Sequence, residues 1–358
     1  MRYQSVGLQA WDKSRAAPGF TLLAPDHSTE VCLLGMRGEI VHEWHIPGKE
    51  GGHALLLPNG NLLVSEKADP AAKREREQLR FISEYDWNGK RVWKCDAAGQ
   101  HHDFRRLANG NTAYLGFERM SDAAKARVRG GIPGTEMKDG GILGDTIFEL
   151  TPEGKVAWEW HAQRDLEIEK YPLHAFNGRE EFSHANAMFV LPNGDYLLSL
   201  RRSSWLLIID RSTGKVRWEM NDDRWGGQHD CQMLPNGHLL FFANGYNAPG
   251  GGQPRSRVLE LDPDTRKVVW SYEGAPPYTF YSFHISGCQR LWNGNTLICE
   301  GLWGRIFEVT PGGDIVWEYI SPFFGRPWKA DGVANWVYRA LRYAPDSAEI
   351  AGRVTLEL

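Results

Sequence analysis

Short apolar runs recur along the whole chain, and two kinds of tight turn punctuate them in alternation. The first is Leu-x-Asn-Gly, at Leu57-Pro58-Asn59-Gly60, Leu107-Ala108-Asn109-Gly110, Leu191-Pro192-Asn193-Gly194, Leu234-Pro235-Asn236-Gly237 and Leu291-Trp292-Asn293-Gly294. A strand-like segment follows each: NLLVSE, NTAYLG, DYLLSL, HLLFFA and NTLICE. Asn-Gly between apolar runs is a strong hairpin signal, because both residues accept φ > 0. The second pattern is strand, turn, strand with a tryptophan. It ends at Trp44, Trp93, Trp158, Trp218, Trp270 and Trp317. Each copy reads as the outer hairpin of a four-stranded sheet, with its indole wedged between neighbouring sheets.

Joined, the patterns describe one propeller blade. The tryptophan pattern occurs six times and the Asn-Gly pattern five. The missing inner strand is expected at residues 335–344, NWVYRALRYA, with Pro345-Asp346 in place of Pro-Asn-Gly. It would complete the blade begun by residues 19–44 and close the ring, which removes open sheet edges. The expected fold is all-β: a single six-bladed β-propeller over residues 1–358, with N- and C-terminal strands closing one blade. Residues 119–145, rich in Lys, Arg and Gly, read as a long loop or lid. Two stacked sandwiches would have no reason to repeat a tryptophan at one place in each unit.

Composition fits many short strands and turns, with 39 Gly and 15 Trp among 358 residues. The net charge of −4 and the lack of a basic run predict neither a nucleic-acid nor a membrane partner. No apolar stretch is long enough for a transmembrane helix. Five cysteines without a CxxC pair argue against a disulfide framework or a zinc ribbon. The N-terminal segment MRYQSVGLQAWDKSRAAPGF has no apolar h-region. A cytoplasmic location is expected, or a periplasmic one if a leader has been removed. Oligomeric state is not legible.

Histidines precede almost every Leu-x-Asn-Gly: His53, His101 and His102, His184, His229 and His284. These positions start the innermost strand of each blade, so five blades would aim imidazoles at one mouth of the channel. One histidine at a strand start is ordinarily a surface residue or a hydrogen-bonded one. Five in repeat register, in the different contexts GGHALL, HHDFRR, SHANAM, QHDCQM and FHISGC, point to a pocket. Strand alternation would put Cys231 on the face of His229, and Cys288 on that of His284. Arg201, Arg202, Arg255 and Arg257 fall near the same mouth by repeat position. His42-Glu43-Trp44-His45 is not a His-Glu-x-x-His zinc motif. Asp103 and Asp230 are the few carboxylates nearby, so no metal is assigned.

The segments SHANAMFVLPNGDYLLSLRRSSWLLIIDRSTGKVRWEM, GGQHDCQMLPNGHLLFFANG, SRVLELD and SFHISGCQRLWNGNTLICEG, with the closing VYRALRY, resemble the bacterial arylsulfate sulfotransferases. The resemblance covers roughly residues 5–345. It implies a six-bladed propeller that moves a sulfuryl group from one phenol to another, with no 3′-phosphoadenosine cofactor. It implies a histidine that is transiently sulfated, His284 by motif position, with His184 and His229 in support. Arg257 would be the arginine, or Arg255 where the alignment crosses the Gly-rich insertion NAPGGGQP. Against the well-known members, neither a leader nor an N-terminal accessory domain is expected here, and the block His101-His102-Asp103 is an extra feature.

The chemistry agrees with these residue types. Imidazole is a good neutral nucleophile near pH 7. Sulfuryl oxygens stay anionic through the transition state and call for Arg and N–H donors. A second histidine can protonate the departing phenolate. His102, His53, Arg201, Tyr281 and Arg255 are the candidate substrate-binding residues, and a small aromatic molecule is the expected substrate. Tyr281, Phe283 and Trp225 are candidates for stacking on it, though packing explains any one of them. Two other readings use the same mouth: a polysaccharide lyase with Tyr281, His229 and Arg257, and a non-catalytic ligand-binding propeller.

Overall fold

A computed structural model describes residues 5–69, 79–246, 248, 252–326 and 332–357. Residues 247 and 249–251 of the NAPGGGQP insertion lie outside the described residues. The fold is all-β, a six-bladed β-propeller built from six small antiparallel sheets. Chain contacts divide it into two compact units, residues 1–72, 81–94 and 279–358, and residues 73–80 and 95–278.

In the first unit, strand Val337–Tyr343 pairs with Phe20–Pro25, which is followed by Glu30–Leu34 and Ile40–His45. The C-terminal strand thus completes the N-terminal sheet, as the missing sixth inner strand requires. Its anchor is buried. Arg342 is ion-paired with Glu308, donates to Thr21 Oγ1 over 3.1 Å, and lies 4.4 Å from the Trp317 ring centre. A strand that the turn pattern does not announce, Gly7–Trp11, adds to Ile315–Ile320 as the fifth of its sheet.

The second unit holds three sheets, whose innermost strands are Gln100–Arg106, Ala185–Val190 and His229–Met233. A short strand, Glu181–Phe182, pairs in parallel with the start of Leu143–Leu150. Residues 119 and 143–145 belong to strands, so the excursion proper is 120–142. It carries a short helix, Asp122–Lys125, whose Ser121 cap accepts from Ala124 N. The excursion is strapped to the 162–180 segment rather than left as an open loop. Arg127 grips Glu169 in two bonds of 2.8 Å, and Arg179 Nε donates to Glu136 over 2.6 Å.

The Leu-x-Asn-Gly turns are not two-residue hairpins with φ > 0 at both Asn and Gly. At the first, Gly60 N donates to Leu57 O (2.7 Å) and Leu57 N to Asn61 O (2.8 Å), and Gly60 alone is left-handed at φ +82°. This is a type I turn closed by a glycine bulge. Asn59 is free to use its side chain instead, accepting Asn61 N over 3.0 Å. The other four copies repeat the pattern. The residue after Gly often reaches a glutamate of the third strand: Asn61 to Glu84, His238 to Glu260, Asn295 to Glu308.

The tryptophan register also needs correction. Trp218 and Trp317 are the third residues of their strands, but Trp44 is the fifth, aligned with Trp160, and His42 stands in the third place. Trp44, Trp160, Trp218 and Trp317 each donate the indole N–H to a main-chain oxygen of another sheet's turn region: Asp86, Gly214, Pro263 and Met36. Each indole thus combines burial with a satisfied N–H. His42 stacks on Trp87 at 4.1 Å in the remaining place.

Candidate functional site

Left-handed residues interrupt the innermost strands where the histidines stand. His102 (φ +53°) and His184 (φ +62°) are themselves left-handed, while His229 and His284 precede left-handed Asp230 (φ +53°) and Ile285 (φ +50°). A side chain with a Cβ adopts this conformation at a cost of about 1 kcal/mol or more, and such strain gathers at functional sites. It also breaks strand alternation, and the register shifts between His229 and Gln232 and between Ala185 and Ala187. Cys231 therefore lies in an apolar cluster with Leu239 and Phe241. All five cysteines are free thiols and buried.

In the second unit, His101, His102 and His184 form a chain of rings. The ring centres of His102 and His184 are 4.7 Å apart, edge to face. His184 Nδ1 is hydrogen-bonded to Glu181. A carboxylate only accepts, so Nδ1 carries the proton and Nε2 the lone pair. Glu181 is held in turn by Arg202, 3.1 Å away. Arg202 is 6% exposed and also binds Glu180 (2.8 Å) and Gly178 O (2.6 Å). Burial, with the Arg202 and Arg201 cations and the nearby rings of His101 and His229, holds His184 well below the ordinary imidazole range. It is a neutral base or nucleophile at pH 7.

His229 is 2% exposed, and its Nδ1 meets Asn244 Oδ1 at 2.7 Å. The amide oxygen accepts, so Nδ1 carries a proton here too. Arg201 lies near this group, its guanidinium 5.9 Å from the Tyr246 ring and its main-chain N bonded to His184 O. Arg257 donates to Arg224 O over 3.1 Å, and burial with the neighbouring cation of Arg255 lowers its pKa. Arg255 is exposed beside Glu273. Asp103 is committed to structure, accepting Phe104 N and Met188 N.

In the first unit, His284 meets Trp336 edge-on at 4.7 Å and lies beside Phe283, 4.6 Å away. His27 also meets Trp336, edge-on at 6.2 Å. Trp336 immediately precedes its innermost strand, as His184 does, so the sixth blade offers an indole where the others offer imidazoles. His53 is buried near Tyr338, 6.3 Å between centres. Tyr281 is anchored through its backbone, its N–H to Glu300 and its carbonyl to the Trp303 indole. Trp225 is a core residue, buried edge-on against Phe241, and not a stacking surface.

The arylsulfotransferase (ASST) family profile matches residues 81–322, two thirds of the chain. The chain belongs to the arylsulfotransferase family. No curated protein is recognisably similar to it. Among solved structures, a protein of unknown function from Bacteroides caccae is 14% identical with a TM-score of 0.58, covering 91% of this chain and 99% of that one. A functionally unknown protein from Desulfotomaculum acetoxidans is 9% identical with a TM-score of 0.50, covering 92% and 100%. A streptogramin B lyase is 12% identical with a TM-score of 0.48, covering 94% and 97%. At these identities the likeness to the Bacteroides caccae and Desulfotomaculum acetoxidans proteins is one of fold.

Family membership supports a transferase. Sequence reasoning named His184, His229 and Arg201 but not Glu181, Asn244, Asp145 or Trp336. Glu181 was within sight, three residues before His184 in EFSH. Asn244 sits in an Asn-Gly pair that mimics the turn signal. Asp145 is distant in sequence, and only sheet pairing brings it to His101. Among the described residues, no group of three His, Cys, Asp or Glu side chains is disposed to hold a metal ion, and no helix is long and apolar enough to cross a membrane.

Proposed function

We propose that the protein transfers a sulfuryl group from an aryl sulfate to a phenol through a histidine intermediate, without 3′-phosphoadenosine-5′-phosphosulfate. The observation that supports this beyond family membership is the tautomer control at His184 and His229. Both are buried, both donate Nδ1–H to a fixed oxygen, and burial with the neighbouring cations holds His184 neutral. Sulfuryl chemistry needs that state, since an imidazolium neither attacks sulfur nor takes a phenol proton. By motif position His284 is assigned to carry the sulfuryl group, forming an N–S bond as the aryl O–S bond breaks. His184 and His229 are assigned to stabilise the transferring group, and Arg201 and Arg257 to neutralise sulfuryl oxygens.

The test is incubation with 4-nitrophenyl sulfate, with and without phenol, following nitrophenolate release and peptide mass. Phenol-dependent release with a sulfuryl adduct on the His284 peptide is expected, and His284→Ala should abolish both. Full turnover in that variant would overturn the assignment. Arg257→Ala should lose more activity than Arg255→Ala, and the reverse order would place the arginine at 255. No release, with an ultraviolet-absorbing product from a uronate glycan, would replace transfer by elimination.

A further inference from the structure

The block His101-His102 is not used by the reaction just described, yet its rings are held by neighbours on several sides. His101 Nδ1 and His102 Nδ1 face one another at 2.7 Å. On its other side, His101 Nε2 faces Asp145 Oδ1 at 3.4 Å. His101 is stacked on Phe117 at 3.7 Å, which fixes its plane. Asp145 is 0% exposed, and its second oxygen, Oδ2, accepts Ser183 N (2.7 Å) and Ser183 Oγ (3.1 Å). Oδ1 is the oxygen that faces the imidazole, and the carboxylate also accepts from the Ala185 N–H. His101 is buried, whereas His102 is partly exposed and adjoins the His184 ring.

We propose that Asp145, His101 and His102 form a proton relay that delivers a proton to the departing aryl oxide and recovers one from the acceptor phenol. The proposal rests on the sulfuryl-transfer reading for its substrate, but not for its proton chemistry. Two nitrogens 2.7 Å apart share one proton, which leaves two arrangements, one proton apart, in which both imidazoles are neutral. In the first, Asp145 Oδ1–H faces His101 Nε2, His101 Nδ1–H faces His102 Nδ1, and His102 Nε2 carries a proton. In the second, Asp145 is a carboxylate, His101 has its proton on Nε2, His102 has its proton on Nδ1, and His102 Nε2 holds a lone pair.

Loss of the aryl oxide converts the first into the second. His102 Nε2–H protonates the oxide, His102 Nδ1 takes the proton of His101 Nδ1, and His101 Nε2 takes the proton of Asp145. The acceptor phenol gives its proton to His102 Nε2, and each transfer reverses. No imidazolium is formed, and the cycle consumes no proton. Burial supports this directly: it lowers the pKa of His101 to about 3 and raises that of Asp145 to about 7. The charged groups around the chain are Glu181, Arg80 and Arg202, with the His184 ring beside it. Glu181 and Arg80 oppose one another at His101, where burial dominates. The 3.4 Å gap to Asp145 is long for a hydrogen bond; catalytic contacts of this kind tighten when substrate binds.

The test has two arms on the full chain. In the first, histidine-labelled protein is followed by long-range proton–nitrogen correlation NMR from about pH 5 to 9, across the imidazole range. Signals are assigned with His101→Gln and His102→Gln. His102 should exchange its proton between Nδ1 and Nε2 near neutral pH while staying neutral, and Asp145→Asn should abolish the exchange. Titration of His102 to an ordinary imidazolium, or one tautomer throughout, would overturn the relay. In the second arm, Asp145→Asn and His101→Gln, each checked for a native thermal melt, should lower transfer from phenyl sulfate about a hundredfold, the scale of general acid catalysis. The single-turnover burst of 4-nitrophenolate without acceptor, a leaving group that needs no proton, should fall less than threefold. Equal losses on both donors would also overturn it. If the unaltered protein transfers nothing, the sulfuryl reading fails and the NMR arm alone decides the relay.

Discussion

His184 and His284 both stand just ahead of an innermost strand, yet their surroundings have little in common. His184 is addressed by ions. Glu181 accepts its Nδ1–H, Arg202 holds Glu181, and Arg201 adds a second positive charge. His284 is addressed by rings, Trp336 edge-on and Phe283 alongside. A carboxylate fixes which nitrogen holds the proton. Aromatic faces fix where a ring lies without choosing its tautomer. A repeat that supplied a histidine to successive blades has thus been specialised by the residues around each copy. The two positions should respond differently to mutation, and that difference is the sharpest test of the contrast.

The largest effect should come from Glu181. Glu181→Gln keeps the shape but can present an amide donor to Nδ1, and Arg202 keeps Glu180 as partner. Transfer should fall about a hundredfold, at the upper end for an orienting partner. The loss should appear in kcat with KM little changed. Trp336→Phe keeps an aromatic edge at His284 and should cost about threefold or less, since edge contacts are worth about 1 kcal/mol. Steady-state kinetics of the two variants decide the matter. Equal losses would mean that the carboxylate packs against His184 without setting its tautomer.

A second, smaller effect concerns His229, whose partner is neutral. Asn244→Leu strands a buried Nδ1–H, which should cost about 1–3 kcal/mol of stability in urea unfolding. Adding His229→Phe should return part of it, because the unpaired polar group is then gone. A double variant that loses the sum of the two single losses would show that the 2.7 Å bond contributes nothing.

How far these features could be read in advance depends on what each leaves in the sequence. Blade count, the closing strand and the strand starts are legible because Leu-x-Asn-Gly and the tryptophan hairpin recur as local patterns. The terminal strand Val337–Tyr343 was found by elimination: five inner turns against six outer ones. Strands without a turn signature, Gly7–Trp11 and Glu181–Phe182, left no such mark. Neither did the glycine bulge, since Asn-Gly suits both kinds of turn and only the closing bond Leu57 N to Asn61 O separates them. The histidine positions were visible, and their chemistry was not. Asp145 reaches His101 across the pairing of two long strands, and Asn244 reaches His229 by the same means. Left-handed His102 and His184 also defeat any argument from strand alternation.

The smallest expected effect is on the pH dependence of folding, where the buried pair of the relay pulls in opposite directions. Asp145 has its pKa raised by burial to about 7 from an ordinary 3.8. The folded chain binds that proton more tightly than the unfolded one. Its contribution is therefore complete below about 4 and is lost as pH rises to about 7. His101 has its pKa lowered by burial to about 3 from 6.5. Here the unfolded chain binds the proton more tightly, so stability is complete above 6.5 and is lost as pH falls towards 3. Between about 4 and 6.5 the two slopes oppose each other. Asp145→Asn removes one slope and leaves the other. Urea midpoints measured across this window should fall more steeply with acid in Asp145→Asn than in the unaltered chain. His101→Gln should show the reverse, gaining relative stability as pH falls. Parallel curves for all three proteins would show that neither group changes its proton affinity on folding, and the relay would lose its electrostatic basis.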